Sequence, residues 1–333
     1  MPEVSVVIPV YKVEQYLEEC LESVRAQTLR DIEIICVNDG SPDRCPQILD
    51  EYAAKDSRIT VIHKENGGLS SARNAAYPLI RGNYTLFVDS DDYIDKTLCE
   101  KAVTIADREQ AEMTLFFIHS PKMTSHSVEN FLKIRLFPEL DKCTLAYHMS
   151  AWSKLWRSSF LLDNQITFPE GLCCEDYVAH WKAITLNPKL ALLPEKMYYY
   201  RVSPDSITQE PSRKSQWDRL KIFDIIKENL IETNNYDAEW KDTYLHHRLD
   251  TMFAAYKAVQ PGDRKKMLQQ IVSRLGDDER DFLKQSNGLR FYARAFYASI
   301  DGSIGDKLLF SLLSRIYVLK NGLKSVPGRR RWS

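Results

Sequence analysis

Apolar positions in the first third of the chain keep two rhythms in turn. Short β-branched runs at Val4–Pro9, Ile32–Val37, Ile59–Ile62 and Tyr84–Val88 are apolar almost without interruption, the pattern of strands covered on both faces. Between the first two runs, Val13, Tyr16, Leu17, Cys20, Leu21 and Val24 recur every three or four residues, the stripe of an amphipathic helix. A second helix is predicted from about Pro46 to Ala54. Strand, helix, strand in succession predicts parallel βαβ units and a mostly parallel α/β sheet with flanking helices. From residue 100 to 200 the pattern is mixed, with a helix over Leu98–Glu109, a strand over Met113–Ile118 and a polar loop from Ser120 to Ser127. Beyond Ser212 no strand pattern remains, and helices are predicted over Lys214–Thr233, Asp237–Ala258, Pro261–Leu275 and Asp306–Leu319. The expected division is therefore an α/β sheet domain over 1–212 and an all-helical domain over 213–333.

Composition narrows the function classes. The chain has 333 residues, 44% of them hydrophobic, and a net charge of −1, so nothing in the balance calls for a nucleic-acid partner. Seven cysteines form no C-x-x-C pair and are odd in number, which suits reduced thiols in a cytosolic protein. No basic, apolar leader precedes the first strand and no apolar run reaches the length of a membrane span, so a cytoplasmic location is expected. The first strand-to-helix turn, Pro9-Val10-Tyr11-Lys12, lacks the glycines of a dinucleotide fold, and no phosphate-binding P-loop occurs. A nucleotidyltransferase would open on a similar glycine-rich loop.

In an open α/β sheet, ligands bind beyond the carboxyl ends of the strands. Those ends here carry Pro9-Val10-Tyr11, Asn38-Asp39-Gly40-Ser41, His63 to Gly68, and Asp89-Ser90-Asp91-Asp92. Carboxylates packed as in the last of these repel one another unless a cation or donors sit among them. Hard oxygens select Mg²⁺ or Mn²⁺, which bridge to substrate phosphates. An acidic turn with an aspartate capping the next helix is the plainer alternative.

The order of motifs decides between them. Val6-Val7-Ile8-Pro9-Val10-Tyr11, Val37-Asn38-Asp39-Gly40-Ser41, Asn66-Gly67-Gly68-Leu69-Ser70-Ser71-Ala72-Arg73-Asn74 and Phe87-Val88-Asp89-Ser90-Asp91-Asp92 together resemble the family-2 glycosyltransferases of the GT-A fold, as found in bacterial capsule and cell-envelope assembly. The resemblance resumes at Ala151-Trp152-Ser153-Lys154-Leu155, Cys174-Glu175-Asp176 and Tyr199-Tyr200-Arg201 and fades after residue 212. It implies a Rossmann-like GT-A domain that moves a sugar, with inversion, from a UDP-sugar to a hydroxyl of a glycan, lipid-linked or protein acceptor. Pro9 and Tyr11 would line the nucleoside pocket, Asp39 would accept from the base, and Arg73 would open toward the nucleotide. Asp91 and Asp89 would hold Mn²⁺ or Mg²⁺, with Asp89 and Ser90 also on the nucleotide side and Asp92 capping the next segment. Asp176 would be the general base, with Glu175 hydrogen-bonding the acceptor or steadying the site. Lys154 and Arg201 would offset charge on the leaving UDP. Some relatives have a histidine soon after the Tyr-Arg pair, where this chain has Ser203, so a histidine metal ligand is in doubt. His246 and His247 form no metal-ligand pattern. A packed aromatic at a strand end for Tyr11, a turn at Asp39, ion pairs at Arg73, Lys154 and Arg201, and an acidic helix start at Glu175-Asp176 are the structural alternatives. A non-catalytic nucleotide-sugar-binding subunit is the functional one.

Residues 307–333 combine seven Lys and Arg with no acidic residue and an apolar stripe from Leu308 to Leu319. That pattern suits a peripheral helix on the inner face of the plasma membrane or a packed terminal helix with a solvated basic tail.

Overall fold

The computed structural model describes residues 1–119, 149–202, 213–236 and 238–285. The polar loop expected at Ser120–Ser127, Ser203, the helix expected at Asp306–Leu319 and the basic tail lie outside the described residues. Among the described residues eight strands form one sheet: β1 (Val4–Val10), β2 (Ile32–Asp39), β3 (Ile59–Lys64), β4 (Tyr84–Phe87), β5 (Tyr93–Ile94), β6 (Met113–His119), β7 (Lys154–Arg157) and β8 (Leu190–Tyr199). Their spatial order is β3-β2-β1-β4-β7-β6-β8-β5. The first four are mutually parallel. Beyond β4 the sheet is mixed, because β7 runs antiparallel between β4 and β6 and β5 runs antiparallel to β8. These strands, of four and two residues, are too short to show a period in sequence.

Helices cover both faces. Val4, Val6, Ile8 and Val10 of β1 share a core with Leu17, Cys20, Leu21 and Val24 of α1 (Leu17–Arg25), Ile48 and Leu49 of α2 (Cys45–Lys55), and Leu98, Ala102 and Ala106 of α4 (Leu98–Glu109). Val7, Ile35, Val37 and Phe87 point the other way, onto Ala72 of α3 (Leu69–Ala75), Phe160 and Leu161 of α5 (Ser158–Asp163), and Ala179 and Ala183 of α6 (Asp176–Thr185). This period-two alternation under near-total burial is why β1 and β2 read as unbroken apolar runs.

The described residues fall into two compact units, the first ending at Trp240 and the second starting at Lys241. Helix α7 (Arg213–Glu232) packs on α6 and belongs to the first. In the second, α8 (Ala238–Ala258), whose first turn precedes the division, is followed by α9 (Arg264–Ser273) and α10 (Asp277–Gln285). Its core holds a buried ion pair between Arg248 Nε and Glu279 Oε1 at 3.2 Å, and Arg248 also donates to the Tyr244 hydroxyl at 2.9 Å. Among the described residues no helix is long and apolar enough to cross a membrane.

Candidate active site

The parallel half of the sheet brings the ends of β1, β2, β3 and β4 to one rim. Pro9 is buried within β1, while Tyr11, just past it, is 41% exposed and presents its ring. Lys12 takes the left-handed conformation (φ 54°) and donates its N–H to Ser41 Oγ at 2.7 Å, tying the first loop to the second. Asp39 ends β2. Its carboxylate accepts from Lys64 Nζ at 2.6 Å, Gly67 N at 2.9 Å and Gly68 N at 2.7 Å. Three of about four lone-pair sites are therefore taken, so Asp39 folds the glycine loop against the sheet and keeps one acceptor site over. Gly40 (φ +65°) is required here, since a Cβ would lie 2.8 Å from Asn66 N.

The turn after β4 carries the acidic cluster. Asp89 and Asp91 are half-buried, and Ser90 and Asp92 are buried. Burial and the charge of Asp89 push Asp91 up to about 6. Burial and the charges of Asp89 and Asp91 push Asp92 up to about 8. The expectation that Asp92 caps the following segment is corrected: its carboxylate accepts from the Tyr198 hydroxyl at 2.8 Å and from Arg201 N at 2.6 Å. The short β5–β8 pairing, Tyr93 opposite Tyr199, brings those donors to it. A turn in which burial and neighbouring charge raise Asp91 and Asp92 fits a divalent cation. Among the described residues no group of three or more His, Cys, Asp or Glu makes a protein-only cage, so such an ion would need ligands beyond Asp89 and Asp91, as Mg²⁺ and Mn²⁺ find in substrate phosphates.

Arg73, on α3, differs most from expectation. It is 1% exposed and does not open outward. Its Nη2 donates to Asp89 Oδ1 at 2.8 Å and its Nη1 to Glu175 Oε1 at 2.7 Å. Burial acts to lower the pKa of the guanidinium, but the charges of Asp89, Glu175 and Asp176 outweigh it and hold the pKa above its ordinary value. A rigid fork with donors on both sides is what allows one side chain to join two carboxylates.

Glu175 and Asp176 begin α6, directly after Cys174, a non-glycine residue at φ 66°. Asp176 is half-buried, and its carboxyl is held well above the usual range, first by desolvation and then by the charge of Glu175, against the opposing pull of Arg73 and Lys154. Lys154 reaches this place because β7 runs antiparallel to β4, which sets the start of β7 beside the end of β4. It is fully buried, its Nζ lies 3.1 Å from His180 Nδ1, and burial pulls it down to about 7 while the charge of Asp176 works the other way. Arg201 lies at the rim. Its Nε donates to the Asp91 carbonyl at 2.9 Å, its Nη2 to Glu19 at 2.5 Å, and its Cζ lies 4.8 Å from the centroid of the Tyr16 ring.

The structure thus gathers Arg73, Asp89, Glu175, Asp176 and Lys154, with Asp91 and Arg201 beside them and Tyr11 and Asp39 on the adjacent loops. Sequence reasoning missed Tyr198, Lys64 and His180. The last left a signal, since it follows Asp176 by four residues and so shares its helix face.

Comparisons with known proteins show what the chain is similar to. The family model described as Glycosyl transferase family 2 matches residues 5–156. The uncharacterized glycosyltransferase EpsJ of Bacillus subtilis is 32% identical over 291 residues, covering 82% of this chain and 84% of that protein. Poly(ribitol-phosphate) beta-N-acetylglucosaminyltransferase TarS of Staphylococcus aureus is 28% identical over 260 residues, 76% of this chain and 45% of that protein. The crystal structure of S. aureus TarS 1-349 in complex with UDP-GlcNAc shares the fold, with a TM-score of 0.63 at 22% identity over 90% of this chain and 92% of that one. A GT-A sheet with its acidic turn at the strand ends, and a relative as similar as EpsJ along most of both chains, lead to one conclusion: the chain belongs to the family-2 glycosyltransferases.

Proposed function

We propose that this glycosyltransferase is inverting and metal-dependent, moving a sugar from a UDP-sugar to a hydroxyl of a glycan, lipid-linked or protein acceptor in cell-envelope polysaccharide assembly. The observation that carries the reading is the Arg73 bridge, which joins the acidic turn after β4 to the carboxylate pair at the start of α6. Donor-side and acceptor-side chemistry then meet at one buried cation. Tyr11 offers an exposed ring for a base to stack on, and the Asp39–Lys64–Gly68 loop shapes the same pocket. When bound, Mg²⁺ or Mn²⁺ held by Asp89 and Asp91 would offset negative charge on the departing diphosphate. Asp176 takes the proton of the acceptor hydroxyl as that oxygen attacks the anomeric carbon from the face opposite UDP. The bond to UDP breaks with its electron pair leaving on the diphosphate. A carboxylate whose pKa is raised toward neutrality is suited to that proton transfer. The beta linkage in the name of TarS supports inversion, because UDP-sugars of the gluco series carry the alpha configuration. The desolvated carboxyl of Asp176, within the field of buried Lys154, favours catalysis over a binding-only subunit.

The test is a pair of variants. Asp91→Asn is expected to abolish transfer and the Mn²⁺-dependent part of UDP binding. Asp176→Asn is expected to abolish transfer and leave UDP binding within about twofold, a loss confined to the chemical step. Transfer at the unsubstituted rate in either variant removes that residue from its role.

A further inference from the structure

The segment that delivers Glu175 and Asp176 has no regular structure of its own. It enters through Gly171 (φ +74°) and leaves through Cys174 (φ 66°), and a left-handed non-glycine residue persists only where its surroundings fix it. From one side α3 holds it: Ser70 Oγ donates to the Pro169 carbonyl at 2.6 Å, Asn74 exchanges two bonds with the Phe168 backbone at 2.8 and 3.0 Å, and Arg73 takes Glu175. From the other side stands α7, which lies beyond the stretch matched by the family model. Asp218 on α7 is 1% exposed, and its Oδ2 accepts from Cys173 N at 3.2 Å. Phe223, further along α7, meets Tyr177 edge-on with ring centroids 6.4 Å apart.

Burying a carboxylate is costly unless it is compensated. The compensation for Asp218 is unusual, because its nearest cations are Lys214 at 4.0 Å and Lys221 at 3.6 Å, both more than half exposed. What Asp218 gains inside is the backbone N–H of the turn that precedes the Glu-Asp pair. An acceptor fixed on a rigid helix and aimed at the strained turn is the arrangement by which outer residues hold a reacting group in place.

We propose that Asp218 is a positioning residue, anchoring the Gly171–Cys174 turn from α7 so that Asp176 is presented to the acceptor. The inference rests on the reading of Asp176 as the base. It makes the first helix after residue 212 part of the catalytic apparatus.

The test uses the full chain with Mn²⁺ and with UDP-glucose, UDP-galactose and UDP-N-acetylglucosamine as donors, following UDP release. Asp218→Ala should lower turnover at least tenfold while UDP affinity, read by calorimetry, stays within twofold. It should also speed amide exchange in the 171–177 peptide and move the acid limb of the pH profile. Asp218→Asn, which keeps an oxygen acceptor for Cys173 N, should restore most of the turnover. Undiminished turnover and unchanged exchange in Asp218→Ala would overturn the anchor. So would a parallel fall in turnover, UDP affinity and melting temperature in both variants, which marks a merely structural helix. Asp176→Asn separates the two ideas: if it is inactive and Asp218→Ala is fully active, the anchor alone fails, whereas an active Asp176→Asn overturns the base reading and the anchor's role with it.

Discussion

A guanidinium with 1% exposure is tolerable only with its charge matched, and Arg73 has a carboxylate at each terminal nitrogen. Removing one member of a buried ion pair costs about 3–5 kcal/mol, because the remaining charge is left without compensation. Arg73→Gln is therefore expected to lower the melting temperature sharply and to abolish transfer; Arg73→Lys, a single point charge, cannot span both carboxylates and should also fail in transfer. Thermal denaturation beside a transfer assay checks both. Asp176 makes the opposite kind of prediction. Its pKa is higher folded than unfolded, so the folded state binds more protons, and stability falls as pH rises through the window between the unfolded and folded values. At neutral pH, Asp176→Asn should therefore melt higher than the unsubstituted protein, with the difference shrinking on acidification. Activity runs the other way: the base must be ionised, so the acid limb of the pH–rate profile should lie above the ordinary carboxylate range. The residues of this cluster were legible one at a time, through motifs. Their pairings were not, because Arg73 and Glu175 are 102 positions apart and nothing in their spacing says that one bonds the other.

At the level of elements, the first four strands were readable because a strand buried on both faces leaves an unbroken apolar run, as β1 and β2 do. Strand β8 was missed because its interior is broken by exposed Pro194 and Glu195, and α3 because seven residues of Leu-Ser-Ser-Ala-Arg-Asn-Ala carry too few apolar positions for a helical stripe. Two glycines of the donor loops, Gly40 and Gly68, are predicted to differ. Gly40→Ala places a Cβ 2.8 Å from a backbone nitrogen at φ +65°, and should cost about 1–3 kcal/mol and weaken UDP binding by displacing the loop that Asp39 holds. At Gly68, φ is +87° but no atom lies within 4 Å of an added Cβ. Gly68→Ala should thus cost stability through backbone strain alone, about 1 kcal/mol, and any larger loss of UDP affinity marks that open space as ligand-facing. Melting curves with and without UDP separate the two effects.

For the whole molecule, the sequence rhythm shows a sheet domain and then helices, and the described residues divide after Trp240. That division lies inside a helix that a change of strand pattern cannot locate. The basic stretch from Lys307 to Arg331 is a separate expectation: if it engages anionic lipid, deleting residues 307–333 will reduce sedimentation with phosphatidylglycerol-containing vesicles, and full-length protein that never sediments with them refutes membrane contact. The central claim concerns the donor, and binding measures it most directly. Ligand binding stabilises by RT ln(1 + [L]/Kd), about 2.7 kcal/mol at a hundredfold excess over Kd, so thermal shift and calorimetry register even weak donors. UDP-glucose, UDP-galactose, UDP-N-acetylglucosamine, GDP-mannose, UDP, NAD and ATP are each tested with Mn²⁺ and with EDTA. The predicted result is stabilisation by UDP and at least one UDP-sugar that EDTA abolishes, with none from NAD or ATP; silence toward every sugar nucleotide in Mn²⁺ would contradict the account.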